Sequence, residues 1–229
     1  MSLSNLLYGP LAPIYDVVCG ALLEPGRRRA MSLLNPRAGE RILEVGSGTG
    51  FGINDYPPDC RVVGIDLSLP MLERAVTRLD AAHRRAITFS QMDAGQLAFR
   101  SGSFDAVYVP YTINCVLDPI AVGRELQRVC KPDGRMVFLN HFEGIPETTN
   151  VMNTAAGTLA KAVDVNWHLR LDTFLAELDL RVQTVESVNV PRLSSVVLCQ
   201  MPAGRTLRTT VSEAAATASS RGLFVPDST

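Results

Sequence analysis

Hydrophobic residues along this chain follow two rhythms. Ile42-Leu43 with Val45, Val62-Val63 with Ile65, Ala86 to Phe89 and Ala106 to Val109 are short apolar runs bounded by Gly, Asp or Pro. Runs of that length and flanking read as buried strands. Between the second and third, Leu72, Ala75, Val76 and Leu79 recur with the period of an amphipathic helix, predicted over Pro70 to Ala82. Ser68 stands at its N-cap, Pro70 at an early position and Glu73 near the positive dipole end. A further helix is expected over Ile120 to Cys130, closed by Pro132-Asp133-Gly134, and a fifth strand over Arg135 to His141. Upstream, Pro25-Gly26 punctuates, Arg27 to Leu34 reads as a helix and Pro36 to Gly39 as a turn. Beyond residue 145, Val151–Val163 and Leu171–Leu178 read as helices, and Arg181–Val190 and Ser194–Gln200 as a strand pair.

Chemistry concentrates where the strands end. The first run leads into Glu44-Val45-Gly46-Ser47-Gly48-Thr49-Gly50, and the second ends on Asp66. A strand entering a Gly-rich turn, with an acid at the tip of the next strand, is how doubly wound α/β folds hold a nucleoside. A nicotinamide dinucleotide calls for a third glycine that packs the helix close and seats a pyrophosphate at its N-terminus. Here Phe51 occupies that place, and Glu44 puts negative charge where a pyrophosphate would be repelled. S-adenosylmethionine (SAM) has no phosphate and carries a sulfonium and an ammonium, so it meets no such repulsion. Met92-Asp93 adds another acid at the end of the third run.

Composition narrows the field. The 229 residues suffice for one large α/β domain, and 46% hydrophobic with 20% charged residues is ordinary for a globular protein. A net charge of −1 offers no global attraction to nucleic acid, and the Asn-Pro-Pro-Tyr motif used on flipped bases is absent. Lys131 and Lys161 are the lysines; arginine supplies the remaining basic side chains. Cys19, Cys60, Cys115, Cys130 and Cys199 are scattered, which argues against a disulfide scaffold or a metal site and for a reducing cytoplasm. No basic residue precedes Arg27, so a charged signal-peptide start is not expected, and no apolar run nears the ~20 residues a bilayer span needs.

Taken as an ordered series, Glu44 to Gly50, Gly64-Ile65-Asp66-Leu67-Ser68, Met92-Asp93-Ala94, Phe104-Asp105-Ala106-Val107 and Lys131-Pro132-Asp133-Gly134 resemble the motifs of class I SAM-dependent methyltransferases. The resemblance implies an α/β fold: a doubly wound, mostly parallel seven-stranded Rossmann-like sheet with an antiparallel edge strand and an N-terminal helical cover. It implies one domain over residues 1–202, with 1–35 as a helical lid or membrane-contact segment; the Ala/Ser/Thr-rich residues 203–229 read as a mobile tail. It implies SAM as cofactor and S-adenosylhomocysteine as product. Gly46, Ser47 and Gly48 are then expected at the methionine part of SAM and Glu44 at its ammonium. Asp66 takes the ribose hydroxyls, Asp93 the adenine amino group, and Met92 packs against the ring. Leu67, Met71 and Ala94 complete the cofactor contacts. Tyr111, after the fourth strand, is expected beside the sulfonium. Tyr15 is expected in the lid, and His141 at the acceptor as a proton relay. Trp167 and His168 stand near an expected substrate loop, with core packing the favoured reading of Trp167.

Tyr15 to Ala30, Tyr111 to Pro119 and Val137 to Phe142 also resemble bacterial phospholipid N-methyltransferases, which convert phosphatidylethanolamine to phosphatidylcholine. An apolar, Pro-broken leader followed by Arg27, Arg28 and Arg29 reads as a segment able to rest on a membrane surface, on the inner face of the membrane. Arg192 is a further candidate for a lipid phosphate. The ordinary alternative is cofactor cover with a solvated arginine face. Competing functional readings are a quinone or other small-molecule methyltransferase and a non-catalytic SAM-binding regulator.

Overall fold

The computed structural model describes residues 23–143, 169–178, 180–189 and 194–201. Tyr15 and most of the expected lid lie outside the described residues, as do Val151–Val163, Trp167-His168, Arg192 and the tail.

Residues 23–34 form helix α1. Strands β1 (Arg41–Val45), β2 (Arg61–Asp66), β3 (Ile87–Gln91), β4 (Phe104–Pro110) and β5 (Cys130–Asn140) follow, with helix α2 (Leu69–Arg78) after β2 and α3 (Pro119–Val129) after β4. Helix α4 (Leu171–Leu178) precedes β6 (Arg181–Val188) and β7 (Ser194–Gln200). One seven-stranded sheet results, in the order β3-β2-β1-β4-β5-β7-β6. The first five of these strands pair in parallel, so their carboxyl ends share one edge. β7 is antiparallel to both β5 and β6. That reversal returns β6 to the common direction and brings its carboxyl end to the same edge. The expected parallel sheet with an antiparallel pair at its margin is therefore what forms.

The continuous apolar runs are explained by cover on both faces. On one face Leu43, Val45, Val107, Met136 and Phe138 pack with α3 and α4; on the other Ile42, Val62, Ala106, Val137 and Leu139 pack with α1 and α2. Arg135 fastens the far edge, donating to Glu40 at 2.6 Å and to the carbonyl of Leu34.

Boundaries differ from expectation for local reasons. α1 includes Pro25-Gly26 instead of starting after them. α2 stops at Arg78, short of Ala82, because Asp80 Oδ1 accepts from the backbone N–H groups of Ala82 (2.9 Å) and His83 (3.1 Å) and turns the chain. Ser68 holds the N-cap position of α2 without a side-chain capping bond. Asp118 caps α3, accepting from Ile120 N and Ala121 N. β5 begins at Cys130, not Arg135: Cys130 pairs with Phe104 and Arg135 with Ala106, and the residues between them bulge around Asp133 at φ 62°.

Candidate active site

Three strand tips and the glycine turn make the first half of the site. Gly46, Gly48 and Gly50 all have positive φ, at 72°, 54° and 79°. A Cβ on Gly46 would overlap the Thr112 side chain, whose hydroxyl donates to the carbonyls of Val45 (3.0 Å) and Pro110 (2.7 Å). Gly46 is thus demanded by the β4 turn. A Cβ on Gly48 would meet nothing nearer than the Gly46 carbonyl at 4.0 Å, so the backbone lies open there. Ser47 is buried, and a Cβ on Gly64 across from it would lie 2.6 Å from its hydroxyl.

Asp66 closes this turn. Its Oδ2 accepts from Gly48 N at 2.9 Å and its Oδ1 from Ser68 N at 2.8 Å. Burial raises its carboxyl pKa, opposed by the backbone bonds from Ser68, Gly48 and Leu67. Each carboxylate oxygen keeps a further lone pair for a ligand hydroxyl. Met92 N donates to the Asp66 carbonyl at 3.0 Å and fixes β3's end beside β2's. Asp93 is exposed, with Oδ1 accepting from Gly95 N at 2.8 Å; Met92 and Ala94 are half-buried against the core. Leu67 is 53% exposed, whereas Met71 is buried on α2.

Glu44 is 2% exposed and receives the Tyr56 hydroxyl hydrogen at Oε2 across 2.5 Å. Burial pushes its carboxyl pKa up to about 7, against the pull of Tyr56, Ser47 and the Arg27 charge. Arg27 is itself buried, its guanidinium 4.9 Å from the Phe51 ring centroid and 5.6 Å from that of Tyr111. Arg78 stacks on Phe51 at 4.3 Å. The residue that breaks the dinucleotide glycine pattern thus serves as a platform for two cations. Arg28 pairs with Glu24 at 2.8 Å, and Arg29 binds Glu186 through two 2.6 Å bonds.

The second half lies at the ends of β4 to β7. Tyr111 follows β4 in the left-handed region at φ 50°, its N–H bonded to the Leu139 carbonyl at 2.6 Å. Its ring centroid is 5.8 Å from that of His141. His141 N donates to Asn140 Oδ1 at 2.9 Å, Asn114 Nδ2 donates to the His141 carbonyl at 2.5 Å, and His141 Nδ1 lies 3.3 Å from Ser194 Oγ. Asn189 Nδ2 donates to Tyr111 Oη at 2.9 Å and to Ser194 Oγ at 3.0 Å.

Residues 43–138 match the family described as Methyltransferase domain. Over these residues the chain is similar to a class I SAM-dependent methyltransferase domain. It is 38% identical over 130 residues to a phosphatidylethanolamine N-methyltransferase of Cereibacter sphaeroides, covering 56% of this chain and 64% of that protein. It is 36% identical over 142 residues to a demethylmenaquinone methyltransferase of Thermus thermophilus, covering 58% and 63%. The chain therefore spans less than two thirds of the length of these curated relatives. Its fold matches that of the methyltransferase in complex with the Haloferax volcanii Trm112 activator, with a TM-score of 0.73 at 15% identity over 87% of this chain and 97% of that one.

SAM is the cofactor of this methyltransferase family. The residues fit it: Gly48 leaves room for a ligand against the backbone, Asp66 retains lone pairs for hydroxyls, and Glu44 places near the turn a carboxyl that a cation would favour in its ionised form. Glu44, Gly46, Ser47, Gly48 and Asp66 come together at the β1 and β2 tips, Met92, Asp93 and Ala94 at β3, and Tyr111 with His141 at β4 and β5. Tyr56, Thr112, Asn114, Asn189 and Ser194 contact these candidate residues and were not singled out in the sequence. Thr112 and Asn114 had a signal, their place in the Tyr111 to Pro119 segment; the other three had none. Among the described residues no helix is long and apolar enough to cross a membrane, and no cluster of three His, Cys, Asp or Glu could hold a metal.

Proposed function

We propose that this chain transfers methyl groups from SAM to the amine of phosphatidylethanolamine and its methylated derivatives. The observation that carries this reading is the 38% identity over 130 residues to the phosphatidylethanolamine N-methyltransferase. Asp66 binds the ribose hydroxyls with its spare lone pairs, Asp93 and Met92 hold the adenine, and Glu44 faces the ammonium. When bound, SAM supplies an already activated methyl on a sulfonium. The chain's work is then to align nucleophile and donor in a dry pocket. The Tyr111 ring favours the positive charge beside it. His141 would take the proton that the substrate ammonium must lose before its nitrogen lone pair can bond to the methyl carbon, while the carbon–sulfur bond breaks and S-adenosylhomocysteine leaves.

The test is transfer from labelled SAM to phosphatidylethanolamine liposomes. Mono-, di- and trimethylated lipid is expected, with inhibition by phosphocholine. Tight SAM binding with no labelled lipid would overturn the acceptor. A quinone C-methyltransferase is the second reading, favoured by the 36% identity to the demethylmenaquinone methyltransferase. Label in a demethylated menaquinol and none in lipid would decide for it. Peripheral membrane contact through the N-terminal segment belongs to both readings.

A further inference from the structure

Asn189 follows β6, 7% exposed, in the left-handed backbone region at φ 69°. Asn tolerates that conformation better than most residues. Its amide oxygen and both amide hydrogens are engaged. Oδ1 accepts from Gly26 N of α1 at 2.8 Å, which fixes the orientation of the amide. The two Nδ2 hydrogens then go to Tyr111 Oη at 2.9 Å and Ser194 Oγ at 3.0 Å. Tyr111 in turn donates to the Leu23 carbonyl at 3.4 Å, again on α1, and Ser194 Oγ meets His141 Nδ1 at 3.3 Å. One carboxamide therefore touches α1, Tyr111 and, through Ser194, His141.

Gly26 gives independent support. A Cβ there would lie 2.8 Å from Asn189 Oδ1 and 2.9 Å from Tyr111 Oη. The helix approaches both side chains so closely that only glycine fits without displacement. Tyr111 also sits at a positive φ, a conformation that persists only where its surroundings enforce it. With its hydroxyl held from both sides, Tyr111 presents its ring, not its oxygen, to whatever lies beside it.

We infer that Asn189 is a positioning residue for methyl transfer, which orients Tyr111 directly and His141 through Ser194 only when α1 is docked. The inference rests on the reading that Tyr111 lies beside the sulfonium methyl and His141 beside the acceptor. It gives the N-terminal helix a defined link to the reacting end of the site, running through one amide on the returning edge of the sheet.

Two variants separate function from folding. Asn189→Gly keeps the left-handed backbone and removes the amide. Asn189→Asp keeps the acceptor for Gly26 N and the backbone preference, but turns the donor end into a second acceptor. Each is assayed with labelled SAM against phosphatidylethanolamine vesicles and against a dispersed demethylated menaquinol, and SAM binding is measured separately by calorimetry. Both variants are expected to lower kcat on the acceptor that the wild type uses by about tenfold or more, with the SAM Kd within about twofold of wild type. Gly26→Ala is expected to act in the same direction. In a Tyr111→Phe background, Asn189→Gly is expected to cost distinctly less than in the wild type, because part of its effect passes through the lost hydroxyl. Wild-type kcat in Asn189→Gly overturns the inference, and wild-type kcat in Asn189→Asp overturns the donor role. If Tyr111→Phe and His141→Gln both leave turnover intact, or the wild type methylates neither acceptor, the acceptor-site reading falls and this inference falls with it.

Discussion

Tyr56 donates its hydroxyl hydrogen to Glu44 Oε2 across 2.5 Å, and both side chains are buried. This pair gives the site a pH dependence. Glu44 titrates near 7 because burial outweighs the hydroxyls and the Arg27 charge. An acid whose folded pKa is raised binds a proton in the folded state that the unfolded chain has lost. Between its ordinary 4.5 and about 7, stability therefore declines as pH rises. The loss amounts to about 3 kcal/mol on the scale of 1.36 kcal/mol per unit. Glu44→Gln removes it: thermal melts of the ligand-free variant are expected to be flatter from pH 5 to 8, and higher than wild type at the upper end. A variant that melts lower at pH 8 contradicts the assignment.

SAM binding runs the other way. Its ammonium is favoured by ionised Glu44, so affinity is expected to strengthen as pH rises through about 7 and to lose this dependence in Glu44→Gln. Calorimetric titrations across that range check it. A group that weakens the empty protein while strengthening its complex is the usual mark of a functional site.

Asp66 makes a sharper case. Replacing it with Ala removes the acceptor for Gly48 N and Ser68 N as well as the lone pairs left for a ribose. SAM affinity is expected to fall by about 1–3 kcal/mol, the scale of lost charged hydrogen bonds. Unchanged affinity would take Asp66 out of the site.

Much of this was legible in the chain itself. Asp66 and Glu44 announce themselves because each ends or nearly ends an apolar run beside glycines, and strand tips are where α/β sheets bind ligands. Leu171–Leu178 was legible from the helical spacing of Leu171, Phe174, Leu175 and Leu178, and Ser194–Gln200 from its short continuous apolar run. Tyr56 could not be read out, since nothing periodic links a loop residue to an acid twelve positions earlier. Asn189 was hidden for a topological reason: it reaches Tyr111 only because β7 runs back between β5 and β6. The Arg27-Arg28-Arg29 run reads as one basic patch in sequence. Folded, it divides, with Arg27 turned inward and the other two paired to Glu24 and Glu186.

The glycines of the turn separate stability from binding. Gly46→Ala forces a methyl into Thr112 at φ 72°. It is expected to destabilise by about 2–4 kcal/mol, combining left-handed strain with overpacking. Gly48→Ala faces open space at φ 54° and is expected to cost only about 1 kcal/mol of stability. Its methyl stands where the ligand would approach, so SAM affinity should drop more in Gly48→Ala than its melting temperature suggests. Parallel melts and titrations of the two variants test the distinction, and equal effects on both readouts would erase it.

Arg27 links both halves of the site. Its guanidinium stacks on Phe51 and Tyr111 and lowers the pKa of Glu44 by charge attraction. Arg27→Met keeps an apolar stem over the rings and removes the charge. Without that cation the Glu44 carboxyl should titrate above its present value of about 7, moving the pH midpoint of SAM binding upward. At neutral pH this leaves more of the acid protonated, so the variant binds SAM more weakly than wild type, and alkaline buffer restores part of the loss. A uniform loss at every pH would instead mean that Arg27 acts through packing or by touching the cofactor itself. The same titration in the Arg27→Met, Glu44→Gln double variant should show no pH midpoint, because the group that titrates is gone.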